Sequence, residues 1–260
     1  MDKSSIVGVL LAVFGILAGL VLEGGNLGQI LQPTAALIVL GGTMGAVLLQ
    51  FPIGTVMAAF RSLAHVFSAP KKQNDELINL LLSFANKARR NGVVSLDADL
   101  KTLHDPFLKR ALMLAVDGTD PSELRKIMRV SLDSTMEREE QLPMVLESAG
   151  GFSPTIGILG AVLGLIQVMG HLDNMAEVGR GIAVAFVATI YGVGLANLFF
   201  LPFAGKMRIR IRDGQRHREM MLEGVISIIE GMNPRMLEVK LAGYMHDSTT
   251  EKPAKREFAA

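Results

Sequence analysis

The chain has 260 residues, half of them hydrophobic, with 27 glycines, two tyrosines and no tryptophan, and its mean hydropathy is positive. Length alone suits one or two soluble domains, but apolar residues plus glycine, without aromatics, suit helices packed closely in lipid better than a water-soluble core. The 26 basic and 25 acidic residues nearly cancel, which removes any case for nucleic acid, and the absence of Cys excludes a disulfide framework, a thiol nucleophile and a Cys-based zinc site.

Four stretches lack Asp, Glu, Lys and Arg: Ser4–Leu22, Gly24–Phe60, Phe152–Gly170 and Gly181–Gly205. A helix needs about 20 residues to cross the hydrocarbon layer, so the first, third and fourth fit one crossing each. The first holds 19 uncharged residues, long for a signal-peptide core, and more spans follow, so it reads as a retained helix. The second is too long for one helix. Its Gly24–Pro33 portion (GGNLGQILQP) reads as a turn, leaving a span over roughly Ala35–Val56. The expected fold class is an all-α membrane protein with four transmembrane helices and a large helical cytoplasmic domain.

Orientation follows from Lys and Arg. The Glu23–Thr34 connection has none and His171–Arg180 has only Arg180, whereas Arg61–Gly151 has 13 and Lys206–Arg218 adds six. The positive-inside rule puts both short connections outside, with the termini and the middle segment in the cytoplasm. The resulting organisation is 1–60 (first two spans and a short periplasmic turn), 61–151 (cytoplasmic helical domain), 152–205 (third and fourth spans), 206–245 (C-terminal cytoplasmic helices) and 246–260 (a disordered tail).

Segment 61–151 balances its 13 basic residues with 13 acidic ones, so it is solvated. Asn74 can cap a helix with acidic first turn Asp75-Glu76 and apolar stripe Leu77, Leu80, Leu81 and Phe84. Gly92 ends that helix just past Lys87-Arg89-Arg90. Asp105-Pro106 and Asp120-Pro121-Ser122-Glu123 start two more, with Pro at the first helical position. The latter runs toward Gly150, with a kink at Pro143. Asn233-Pro234 starts a short amphipathic piece.

Glycine recurs at GxxxG spacing at Gly15–Gly19, Gly41–Gly45 and Gly160–Gly164, and the fourth span has a small-residue stripe at Gly181, Ala185, Thr189 and Gly192. Such faces let backbones approach within one chain or between copies. The polar residues of the spans include Thr43, Gln50, Thr155, Gln167, Thr189, Tyr191 and Asn197, but no ionisable acid or base. A complete proton pathway needs an intramembrane carboxylate or His. Either the chain moves no ions or a partner brings the carboxylate. Pro154 and Pro202 fall at the same cytoplasmic level, where each leaves a carbonyl unpaired; they are paired hinges or ordinary helix-end prolines.

The segments Leu22–Pro52 (LEGGNLGQILQPTAALIVLGGTMGAVLLQFP), Gly150–Met169 (GGFSPTIGILGAVLGLIQVM) and Gly181–Met207 (GIAVAFVATIYGVGLANLFFLPFAGKM) strongly resemble the MotA-type flagellar stator proteins. The resemblance covers all four spans, their order and the cytoplasmic loop length. It implies an A-type subunit that forms a homo-oligomer, a pentamer, around two B-type (MotB-like) subunits. Each B-type chain has an intramembrane Asp and a peptidoglycan-binding domain. It also implies torque on the rotor protein FliG. Residue by residue, Pro154 and Pro202 fall on the family's functional prolines and Thr189 on its pore-facing threonine. Arg89 and Asp97 fall on the rotor-contact pair, with Arg90 as helper, although the family more often has Glu where Asp97 stands. Sodium-type members carry further hydroxyls where this chain has Ala161 and Ala188. Na⁺ needs several oxygen ligands, so methyls there imply H⁺ as the coupling ion, with no cofactor or metal.

An ExbB/TolQ-type energiser is the nearest alternative, but those proteins have three spans, and the Ser4–Leu22 and Ala35–Val56 pair favours the flagellar branch. A stand-alone channel would need internal ion-binding groups. An enzyme is disfavoured: the sequence has no HExxH, no GxSxG and no Lys-bearing Gly-rich phosphate loop.

Overall fold

The computed structural model describes residues 3–66 and 74–244, and all their regular structure is helical. The chain runs α1 (Lys3–Leu22), a single turn α2 (Leu27–Ile30), α3 (Pro33–Gln50), α4 (Ile53–Val66), α5 (Asn74–Asn91), a 3₁₀ segment (Val93–Lys101), α6 (Pro106–Val116), α7 (Pro121–Gly170), α8 (Met175–Leu195), a π-helical turn (Ala196–Phe200), α9 (Leu201–Ile229) and α10 (Pro234–Ala242). The expected tail over 246–260 lies outside the described residues.

Three helices are long and apolar enough to cross a membrane: Pro33–Gln50, the apolar part of Pro121–Gly170, and the apolar part of the continuous helical stretch Met175–Ile229. The apolar portion described for α1, Ile6–Leu22, is shorter. The second span departs from its expected extent. Rather than reaching Val56, α3 stops at Gln50, because Phe51 is extended (φ −124°, ψ 145°) ahead of Pro52. A proline ring disfavours helical backbone at the residue before it. Ile53 then opens the separate α4. Prolines inside α7 act differently: the helix runs through Pro143 and Pro154 and joins the expected third span to the segment before it without a break.

The chain forms two compact units. One holds residues 1–70 and 137–211, the other 71–136 and 212–260, within the described residues.

In the first unit, α3 lays Ala35, Val39, Thr43 and Val47 against its neighbours at a spacing of four, so one face of the helix is buried. Ala35 and Val39 pack with Val184, Val187 and Ala188 of α8. Lower on the same face, Val47 joins Val56, Ala59, Val145 and Ala149. The outward faces stay apolar: Phe14 of α1, Leu37 of α3, Ile158 and Ile166 of α7 and Phe186 of α8 are all exposed. An apolar exterior of this kind belongs in lipid or against other chains.

The second unit has a conventional core. Leu81 and Phe84 of α5, Leu96 of the 3₁₀ segment, Leu108 and Leu112 of α6, Leu124 and Met128 of α7, Val225 and Ile226 of α9 and Leu237 of α10 are buried together. The helix starts predicted at Asp105, Asp120 and Asn233 hold, whereas Asn74 is the first residue of α5 itself and its side-chain oxygen meets the His217 ring at 2.8 Å. Asp105 accepts the amides of Phe107 and Leu108 ahead of α6, and Asn233 accepts that of Arg235 ahead of α10, with proline at the first position of each helix. Asp120 accepts from the hydroxyl and the amide of Ser122, and those two bonds, the hydroxyl's above all, hold its carboxyl below the usual range.

An ionic knot ties three helices of this unit. Glu223 of α9 takes both guanidinium nitrogens of Arg125 from α7, and Lys240 of α10 donates to Glu223 at 3.0 Å and to the buried Ser227 at 2.9 Å. Burial pushes the Glu223 carboxyl up, but the bonds from Arg125 and Lys240 outweigh it and leave the group below its ordinary value.

Candidate functional site

The residues singled out from the sequence fall into two groups, one in each unit. The first group centres on the crossing of α7 and α8. Its small residues interlock backbone to backbone. A Cβ on Gly157 would meet the Ala188 carbonyl at 2.8 Å, one on Gly164 the Gly181 carbonyl at 2.8 Å, and one on Gly192 the Ser153 carbonyl at 2.5 Å and the Pro154 Cα at 3.2 Å. The GxxxG pair Gly160–Gly164 and the stripe Gly181, Ala185 and Gly192 are therefore spent on packing within the chain. Gly15, Gly19, Gly41 and Gly45 differ: among the described residues, a Cβ on any of them meets no atom beyond its own helical turn within 4 Å.

The crossing carries a hydrogen bond that sequence reading missed. Ser153 is fully buried, and its hydroxyl donates to the Gly192 carbonyl at 2.7 Å. Pro154 follows directly and lacks the N–H that would bond to the carbonyl of Gly150, four residues back. Gly150 in turn packs on Leu201, where a Cβ would meet the side chain at 2.7 Å, and on Phe200. Those two residues precede Pro202. The turns loosened by the two prolines thus abut, which their sequence separation conceals.

Around Pro202 the chain changes helical pitch. Ala196–Phe200 is a π-helical turn, and Leu201 donates its amide to the carbonyl of Ala196, five residues back. A proline displaces the carbonyl four residues before it, and a π turn is one way to accommodate that displacement. Asn197 helps by donating its side-chain amide to the Val193 carbonyl at 2.9 Å.

The remaining span residues have distinct surroundings. Thr189 is half-buried and returns its hydroxyl to the Ala185 carbonyl at 3.3 Å. Ala161 is half-buried as well. Ala188 is fully buried, facing Gly160 across the α7–α8 crossing. Tyr191 reaches the loop before α3, donating its hydroxyl to the Ile30 carbonyl at 2.6 Å and accepting the Gln32 amide at 3.4 Å. That bond satisfies loop backbone that lipid could not. Thr43 is the exception: it is 2% exposed, and its hydroxyl has no hydrogen-bond partner among the described residues.

The second group sits at the end of α5. Gly92 terminates the helix with φ +80° and ψ 160°, a conformation open almost only to glycine, and its amide returns to the Ala88 carbonyl at 2.8 Å. The 3₁₀ segment that follows is anchored by buried Leu96 and Leu100 and by the Lys87–Asp99 ion pair at 2.6 Å. Arg89, Arg90 and Asp97 all lie on the exposed side of this turn. Among the described residues, no cluster of three or more His, Asp or Glu side chains is arranged to hold a metal ion.

Residues 99–220 match the MotA/TolQ/ExbB proton channel family, and residues 6–92 match the motility protein A N-terminal family. The chain is 37% identical over 249 residues to motility protein A of Bacillus subtilis (strain 168), covering 94% of this chain and 91% of that protein. It is 34% identical over 258 residues to motility protein A of Helicobacter pylori (strain ATCC 700392 / 26695), covering 99% of both. Among solved structures, the C. jejuni MotAB structure superposes with a TM-score of 0.89 at 32% identity, over 98% of this chain and 100% of that one. The flagellar MotAB stator complex from Bacillus subtilis gives 0.86 at 36%, over 94% and 96%. Matched from end to end in sequence and in fold, the chain belongs to the motility protein A family of flagellar stator proteins.

Proposed function

We propose that this chain is the A-type subunit of a flagellar stator, crossing the inner membrane four times with both termini in the cytoplasm. Five copies surround a B-type, MotB-like pair whose intramembrane Asp carries the proton. The observation that carries this reading is the α7–α8 crossing: backbones in contact at Gly157, Gly164 and Gly192, two abutting proline-loosened turns, and no Asp, Glu, His, Lys or Arg in the expected third and fourth spans. Such a wall holds a pathway in shape but cannot relay a proton by itself. Thr189, with Ala161 and Ala188 where sodium-type members carry hydroxyls, borders the ion path. Pro154 and Pro202 act as hinges, passing movement from the membrane to the cytoplasmic helices. Arg89, Arg90 and Asp97 meet the rotor protein FliG. The match of residues 6–92 to the motility protein A N-terminal family favours the flagellar branch over an ExbB/TolQ-type energiser.

Reconstitution tests this. Liposomes holding this chain alone should show no saturable H⁺ flux under a pH gradient, and flux should appear when a B-type partner with its Asp is added and opened. Saturable flux from the chain alone would overturn the division of labour. Replacing Arg89 by Glu should leave assembly intact and impair swimming, and normal swimming would remove the rotor contact from the proposal.

A further inference from the structure

The charged turn carries one side chain that electrostatics does not explain. Val94 is 70% exposed at the second position of the 3₁₀ segment, in chain order between Arg89-Arg90 and Asp97. A single exposed Val on a surface is unremarkable. What distinguishes Val94 is its mounting. The segment runs for nine residues, where such helices seldom exceed three or four. Several contacts hold it: Gly92 at φ +80°, the Ser95 hydroxyl on the Gly92 carbonyl at 2.6 Å, the Thr102 hydroxyl on the Asp99 carbonyl at 2.8 Å, the Lys87–Asp99 pair, and Leu96 and Leu100 in the core. Val94 and Asp97, three residues apart in this segment, are both exposed. The result is a branched apolar side chain on the solvent side of an anchored segment, preceded in the chain by two exposed guanidinium groups and followed three residues on by an exposed carboxylate.

That is the anatomy of a small recognition patch: an apolar centre with a charged rim of both signs. Charge pairs on such a rim are screened at cytoplasmic ionic strength and supply orientation more than grip. A β-branched side chain has few rotamers to lose on docking. We propose that Val94 is the apolar anchor of the rotor contact. The surface it fits is a helix presenting an apolar side chain, flanked by a carboxylate for Arg89 and Arg90 and by a cation for Asp97. The proposal rests on reading Arg89, Arg90 and Asp97 as the rotor-facing residues.

The test uses the full stator complex, immobilised, with rotor protein FliG bound at about 0.1 M and about 0.5 M salt, where the Debye length falls from about 10 Å to about 4 Å. Stall torque in cells is measured in parallel. Val94→Ser should weaken binding at least about fivefold at both salt concentrations, and Val94→Leu should retain it within about twofold. Arg89→Glu should lose mainly the salt-sensitive part. Wild-type binding and torque in Val94→Ser beside an impaired Arg89→Glu would overturn the anchor and leave the rotor reading standing. Unimpaired binding in both variants would remove the rotor reading itself. A loss in Val94→Ser matched by a lower thermal midpoint, with Val94→Leu equally impaired, would assign Val94 a structural role and also overturn the proposal.

Discussion

The tightest contact between α7 and α8 yields the sharpest stability prediction. In Gly192→Ala, the new methyl would lie 2.5 Å from the Ser153 carbonyl oxygen, 3.0 Å from the Gly157 Cα and 3.2 Å from the Pro154 Cα. All three are backbone atoms of one helix, so no side-chain rotation relieves the clash. Restoring an ordinary contact of 3.4 Å moves α8 outward by about 0.9 Å. The Ser153–Gly192 hydrogen bond, now 2.7 Å, would then lengthen beyond useful range and leave a buried hydroxyl unpaired. Overpacking costs about 1–3 kcal/mol and the lost bond about 1 kcal/mol more, so the variant should be destabilised by about 2–4 kcal/mol. Gly194 is the control. A Cβ there meets nothing within 4 Å, so Gly194→Ala gains only helix propensity, about 1 kcal/mol at most. Thermal unfolding of the detergent-solubilised protein reads both. Equal midpoints for Gly192→Ala and Gly194→Ala would refute the backbone-contact account of the crossing.

Other perturbations probe separate parts of the molecule. Thr43→Val removes a buried hydroxyl that makes no hydrogen bond and keeps the shape, so it should stabilise by about 1 kcal/mol; a loss of stability would mean the hydroxyl is engaged. Tyr191→Phe strands the Ile30 carbonyl and should cost about 1–2 kcal/mol, seen as faster proteolysis of the α1–α3 connection, whereas wild-type resistance would deny the tether. His217 of α9 donates from Nδ1 to the Asn74 side chain at 2.8 Å. Burial, countered by Asp105 and reinforced by Arg218, lowers its pKa from 6.5. The unfolded chain therefore takes up the proton first, so this stabilisation is complete above pH 6.5 and fades as pH falls toward the folded-state pKa. His217→Gln should flatten the pH dependence of unfolding between about pH 8 and about pH 5.5, and an unchanged slope would exclude His217 as its source.

Much of this protein is written locally in its chain. Proline behind Asp or Asn starts α6, α7 and α10, and Gly92 stops α5, because caps depend on a few adjacent residues. The uncharged runs mark the apolar helices because the cost of a charge in lipid acts on composition, whatever the packing. Phe51-Pro52 was also readable, and a span drawn to Val56 overlooks what a proline does to the residue before it.

Tertiary structure decided what depends on distance between helices. GxxxG spacing occurs at Gly15–Gly19, Gly41–Gly45 and Gly160–Gly164 alike, yet among the described residues only the last is spent on a backbone contact. Spacing shows that a face is smooth and says nothing of what lies against it. The same holds for Gly150 meeting Leu201, for Ser153 reaching Gly192, and for Arg125, Glu223 and Lys240 gathering from three helices. Each is a pairing between residues far apart in sequence, and such pairings exist only once the helices have chosen their neighbours.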